Sequence, residues 1–278
     1  MAFNKDELIL DKVRSLTTHD LSTGEMIFRL TSLEDSSLNC TAEGEEVTDA
    51  VGAVITTLYR AKKGEFTATN SLISLGLAAA QYGAEKEVGS AEKKITDYTY
   101  EILDFPEGTD SVTLKHKPTN EVKWAYSVVD GEIGQSFKAA AATATEFVVS
   151  KETGEVTKPT GFVGKLYVDY QYETENAVRI VNSASKFPEA CKAVIYAYFR
   201  DKCNENVVYS GKIIIPKAKL NPESIELALT STGKHAFTMG IQKDYCTEEG
   251  EDQLFTIVVF LMERAFECAL SSFVFYNI

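Results

Sequence analysis

With 278 residues, 44% of them hydrophobic, the chain can build one large β domain or two of moderate size, and its composition excludes a disordered protein. A formal charge of −13 argues against a protein that grips phosphates, because close nucleic-acid binding relies on clustered Lys and Arg. An acidic wall lets nucleic acid slide past without sticking; the plainer reading is that the acidic excess keeps the protein soluble.

In chain order, residues 1–20 place Leu8, Ile9, Leu10, Val13 and Leu16 at a spacing that predicts a short amphipathic helix or an arm docking on a neighbour. Acids stand there in place of the basic and then apolar regions of a signal peptide, so export by that route is not expected. Gly24–Leu30 is a short strand candidate, and Ser32–Asp49, rich in Ser, Asp, Glu and Gly, predicts a loop anchored by Leu33 and Leu38. Val54–Tyr59, a turn at Ala61–Gly64 and Glu65–Asn70 predict a hairpin over 54–70. Its Arg60, Lys62 and Lys63 form the densest basic spot in an acidic chain. Asn70–Gly83 opens on an Asn-Ser cap signal and closes on glycine, which predicts a short helix or turn covering an open barrel end, weakened by Gly76. Residues 84–97 are charged and read as a surface loop, mobile or ordered by a partner.

From Thr99 the strands resume as Thr99–Leu103, Ser111–His116 and Val122–Val129, and Asp130-Gly131 is a strong turn signal. The Ala-rich run 139–144 is assigned to the start of a strand continuing through Phe147–Ser150, and Leu166–Tyr172 alternates apolar and polar residues. The clearest stretch is Lys192–Tyr245, read as four successive strands. Ala193–Arg200 turns through Asp201, Asn204 and Asn206 into Val207–Tyr209 and Ile213–Ile215. Pro216, poorly suited to a central strand, is taken as their end. Ile225–Thr230 and Phe237–Gln242 then alternate across the Ser231-Thr232-Gly233 turn. Leu254–Met262 is apolar but less than half a membrane span, so a buried strand is expected. The spacing of strands and turns, with no strand–helix alternation, predicts a mainly β, antiparallel sandwich or barrel with long loops and one or two short helices.

Chemistry-bearing motifs are absent. His19, His116 and His235 lie far apart without zinc spacing, and there is no nucleophile elbow, phosphate-cradling loop or HExxH. No catalytic, cofactor or metal residue is assigned. The acidic run Glu248, Glu249, Glu251 and Asp252 lacks the spacing of a calcium loop and reads as a solvated turn. Tyr167, Tyr170, Tyr172, Tyr196 and Tyr198 are expected in core or interface, since base stacking needs interleaved basic residues. The five cysteines, Cys40, Cys191, Cys203, Cys246 and Cys268, form no CxxC pair and their odd number favours a reduced compartment. Cys191 and Cys203 flank a hairpin and are able to approach one another; buried thiols packing as small hydrophobes are the other reading.

In its succession of strands and loops the chain resembles the phage tail tube proteins, the major tail proteins of long-tailed bacteriophages. The resemblance lies in Val51–Gly83, Phe162–Pro188 and Ile213–Cys246 with the DQLFTIVVF run that follows. It implies a structural virion protein, not an enzyme: one β domain over 1–278 with an enlarged middle at about 84–160, assembled edge to edge into hexameric rings. These stack into the tail tube, through whose lumen DNA passes without specific binding. It further implies assembly in the host cytoplasm, partners among sheath, tape-measure and tail-terminator proteins, no cofactor and no membrane. On this reading Arg60, Lys62 and Lys63 are candidate inter-ring contacts to Glu248, Glu249, Glu251 and Asp252 of another ring, with a solvated turn as the plain alternative. The tail 263–278 has no counterpart in the family. Two rivals remain at this stage: another virion component, of decoration or capsid type, and a carbohydrate-binding β-sandwich whose exposed aromatics and carboxylates form the site.

Overall fold

The computed structural model describes residues 6–204, 206–222, 233–243 and 253–261. In chain order its elements are β1 (Leu8–Asp20), β2 (Met26–Leu30), β3 (Leu33–Thr48), β4 (Val54–Asn70), α1 (Leu75–Tyr82), β5 (Glu87–Val88), β6 (Ile95–Phe105), β7 (Ser111–Thr113), β8 (Trp124–Val129), β9 (Glu132–Ala139), β10 (Glu146–Val149), β11 (Glu155–Thr157), β12 (Gly164–Thr174), β13 (Val178–Arg179), β14 (Ala190–Asp201), β15 (Val208–Leu220), β16 (His235–Ile241) and β17 (Thr256–Leu261). The fold is mainly β, as expected, with one short helix among the described residues. The chain divides into two compact units, one from Met1–Lys86 with Ile180–Ile278 and the other Glu87–Arg179.

The first unit is an antiparallel sheet in the order β2-β1-β14-β15-β16-β4-β3, with β17 also on β15. Leu16, Phe28, Leu30, Phe66, Ile195, Ile215, Phe237 and Met239 bury one face of it, and Leu77 of α1 packs into the same core. The helix is short but capped at both ends. Leu77 N–H donates to Ser74 Oγ, and Gly83, at φ 61°, closes the C-terminus in the left-handed region. The cap therefore sits at Ser74 and not at the Asn70-Ser71 signal, and Gly76 falls in the first turn.

Several expectations fail here for identifiable reasons. Residues 8–20 form a strand and not a helix: register shifts between Leu10 and Lys12 and between Val13 and Ser15 insert Asp11 and Arg14 as bulges. Two bulges three residues apart convert a period of two into a spacing that imitates a helix. Residues 33–48, expected as a loop, form the long strand β3, with Leu33 and Leu38 partly buried against the core as anticipated. The predicted 54–70 hairpin is one continuous strand; Ala61, at φ 41°, is a bulge in it, and the true hairpin joins β3 to β4 through Asp49–Ala53. Within 84–97, β5 pairs with β13 and β6 already begins at Ile95.

Pro216 lies inside β15, where the expected strand end proves wrong. The register with β14 skips between Cys191 and Ala193, so Pro216 sits at a bulge. On the other edge β17 pairs with Tyr209–Ile214 and β16 with Ala218–Leu220, so the missing N–H falls in the gap between two partner strands. The predicted Ile225–Thr230 strand lies outside the described residues, whereas Phe237, Met239 and Ile241 are buried in alternation as expected.

The second unit is a seven-stranded sheet in the order β6-β12-β8-β9-β10-β11-β7, antiparallel except where β10 runs parallel to β9. Phe105, Ala125, Phe147, Val156, Leu166 and Val168 form its separate core. Asp130 and Gly131, at φ 53° and 86°, both adopt the left-handed conformation required by the tight β8–β9 turn, as the Asp-Gly signal predicts. The first and last residues of this unit pair through β5 and β13, where the Arg179 guanidinium holds the Glu87 carboxylate at 2.8 Å.

Candidate assembly surface

The most exposed apolar side chains of the first unit lie on the β3–β4 hairpin. Strand β4 pairs with β16 only over Gly64–Asn70, so the segment from Val54 to Lys63 has β3 on one edge and, among the described residues, no strand on the other. The result is a two-stranded ribbon continuing beyond the sheet. Its tip is well built: Asp49 Oδ1 accepts from the N–H of Val51 and Ala53 at 2.9 and 2.8 Å, and Gly52 takes φ 88°. Val51 is 92% exposed, Tyr59 74% and Ile55 67%, and Val47, Val54 and Leu58 are exposed beside them. An isolated two-stranded ribbon is marginal in water, and exposed apolar residues along one mark a surface that a partner covers.

The predicted basic contacts sit toward the base of this ribbon. Arg60 reaches Glu45 at 2.9 Å across the strands, and Lys63 bonds Glu43, whose carboxyl is held below its ordinary range first by that hydrogen bond and then by the charge of the lysine. Lys62, opposite Ala42, has no ion pair among the described residues. Glu248, Glu249, Glu251 and Asp252 lie outside the described residues. The element that sequence reasoning missed is β3. Its polar, two-sided exposure beyond Leu38 hides it from any periodicity, although β-branched Val47 and Thr48 beside the Val54–Tyr59 strand are a weak hairpin signal.

The sheet has other open edges. Strand β17 pairs with β15 on one side, and among the described residues nothing pairs with its other side, which carries the exposed Ile257, Val258 and Phe260 nearby. Such edges template pairing with another chain unless they are covered.

A cavity of about 460 Å³ is lined by Asp20, Phe28, Gly83, Phe187, Cys191 and Leu220 among others. Asp20 is lowered to about 2 by hydrogen bonds from the Ser22 hydroxyl and from Thr23 and Ser22 N–H, so its carboxylate is engaged in its own turn. Cys191 is buried, and burial pushes its thiol up to about 11; Cys40, Cys191 and Cys203 are all free thiols. His235 is fully buried with Nε2 against Gln81 Oε1 at 2.6 Å, while His19 reaches Gly24 O and His116 stacks on Tyr172. Among the described residues no three His, Cys, Asp or Glu side chains are grouped to hold a metal ion, and no helix is long and apolar enough to cross a membrane.

Among the described residues the first unit presents an antiparallel sheet with open edges and a projecting ribbon with exposed apolar side chains. Residues 8–251 match the YomU/Tube protein family, and the chain belongs to that family. The family is a phage structural one of tube type and not an enzyme family, in agreement with the resemblance at the level of a tube-like virion protein. Comparison with curated proteins finds no match.

Proposed function

We propose that this protein is the repeating subunit of a phage tail tube, joined edge to edge into hexameric rings that stack around a channel for the genome. The observation that carries the reading is the β3–β4 ribbon: β4 presents exposed Ile55, Leu58 and Tyr59 and, from Val54 to Lys63, an open edge among the described residues, a combination that a monomer has no use for. Ring closure covers the sheet edges, and the ribbon reaches the next subunit or ring. The charge of −13 suits a channel wall that DNA passes without sticking. Lys62, free of an intrachain pair among the described residues, is the best placed of the three basic residues to meet the acidic run Glu248–Asp252 of a neighbour. Assembly takes place in the host cytoplasm, and sheath, tape-measure and terminator proteins meet the finished tube.

Electron microscopy of the purified protein across a concentration series, with light scattering on the same samples, tests this. Rings or hollow tubes of uniform width are expected. Particles of monomer size throughout, even after addition of preformed tail-tip complexes as initiators, exclude the proposal.

A further inference from the structure

The second unit carries an exposed face of a different chemistry. Tyr98, Tyr100 and Ile102 of β6, Tyr167 of β12, and Trp124 and Tyr126 of β8 alternate with Leu103, Leu166, Val168 and Ala125, which are buried in that unit's core. Alternation along each strand therefore sets all six on the opposite, outward side of the sheet. The register places Tyr167 directly between Ile102 and Tyr126. The Tyr100 and Tyr167 rings lie near parallel, 22° apart with centroids at 5.1 Å, and Tyr126 tilts onto Tyr167 at 6.3 Å. Tyr98 and Tyr100 are 77% and 60% exposed. β6 is the edge strand, with β12 as its paired neighbour.

Polar groups are interleaved with these rings. Asp169 stands opposite Tyr100 and Gln171 opposite Tyr98. Their side chains make no hydrogen bond or ion pair within the described residues, so both remain available. The face is acidic on balance: Asp104, Asp169, Glu173 and, beside Lys138, Glu146 stand against Lys165 and Lys138.

We propose that this face is a binding site for an uncharged polysaccharide. A pyranose ring has one apolar C–H face and a rim of hydroxyls. The first stacks on flat aromatic rings, and the second hydrogen-bonds to carboxylate and amide groups standing between them; Asp169 and Gln171 supply those groups. The acidic balance gives an anionic polymer no anchor, and an uncharged one needs none. Nucleic-acid stacking requires basic residues between the aromatics, and a chain of net charge −13 repels phosphate. The face is open and not concave, so each copy binds weakly. In a tube, as the reading above supposes, many copies act on one polymer and effective concentration strengthens the attachment without any new contact.

The full-length protein, unassembled and as tubes, is run in native gels containing starch, dextran, mannan or galactan, against a gel without polysaccharide. At least one polysaccharide is expected to retard both forms. Tyr98→Ala/Tyr100→Ala, at exposed positions, and separately Asp169→Ala are expected to weaken retardation at least tenfold, with unchanged melting temperature. The proposal is overturned by wild-type protein that migrates unretarded in all four gels, or by retardation that the double variant retains. It is equally overturned if the double variant fails to form rings while its melting is unchanged, since the face is then a subunit interface. Retarded protein that never forms tubes removes the tube reading and leaves this one standing; tubes that migrate unretarded do the reverse.

Discussion

Replacing Ile55 by Thr probes the ribbon without disturbing the fold. Thr keeps the β-branch and the strand propensity, so the ribbon's backbone is conserved. The change removes two apolar carbons from a side chain that is 67% exposed in the free subunit. At about 0.8 kcal/mol per buried CH₂, and with about two-thirds of that surface available to a partner, each contact loses about 1 kcal/mol. Because 1.4 kcal/mol corresponds to a factor of ten, the protein concentration at which rings and tubes appear rises about five- to tenfold. The stability of the unassembled subunit changes by less than about 0.5 kcal/mol, as for other surface positions. Light scattering against concentration measures the threshold, and thermal melting of the unassembled protein supplies the control. An unchanged assembly threshold in Ile55→Thr and in the Ile55→Thr/Tyr59→Ser double variant refutes the argument that the ribbon is an assembly element.

Other consequences follow from the two cores. Burial lowers the pKa of His235 from its ordinary 6.5, so unfolding takes up a proton below that pH. Stability is full above about pH 6.5 and falls on acidification by at most about 1.4 kcal/mol per pH unit; urea midpoints at pH 7.5 and 5.5 should separate in the wild type and converge in His235→Gln. A Cβ at Gly83 meets Phe187 O at 2.2 Å at φ 61°, so Gly83→Ala is expected to cost more than the roughly 1–2 kcal/mol of the left-handed backbone alone, seen as a lower urea midpoint. Phe105→Ala empties a fully buried position and should destabilise the second unit by about 3–5 kcal/mol, read by hydrogen exchange at Leu166 and Val168. At pH 8, native protein treated with iodoacetamide and mapped by mass spectrometry should be labelled at Cys40 and Cys203 and spared at Cys191.

The sequence by itself determined the fold class and the elements whose two faces differ. Phe237, Met239 and Ile241, and Leu166, Val168 and Tyr170, alternate because one side of each strand meets a core and the other meets water. Asp130-Gly131 was legible because few residue pairs accept two positive φ angles in succession. Tertiary structure alone decided the rest. Beyond Leu38 strand β3 is wet on both faces, so no period marks it there, and only its register with β4 makes it a strand. The bulges at Asp11 and Arg14 are set by pairing with β14, and they erase the alternation from which β1 would have been read. Pro216 is admitted because β16 and β17 share the edge of β15 and leave it a gap, an arrangement fixed by residues far away in sequence. The same holds for the candidate surfaces: the apolar residues of the ribbon and Tyr98, Tyr100, Tyr126 and Tyr167 of the second unit are ordinary core candidates in one dimension, and only the sheets show that they stand on the side away from the cores.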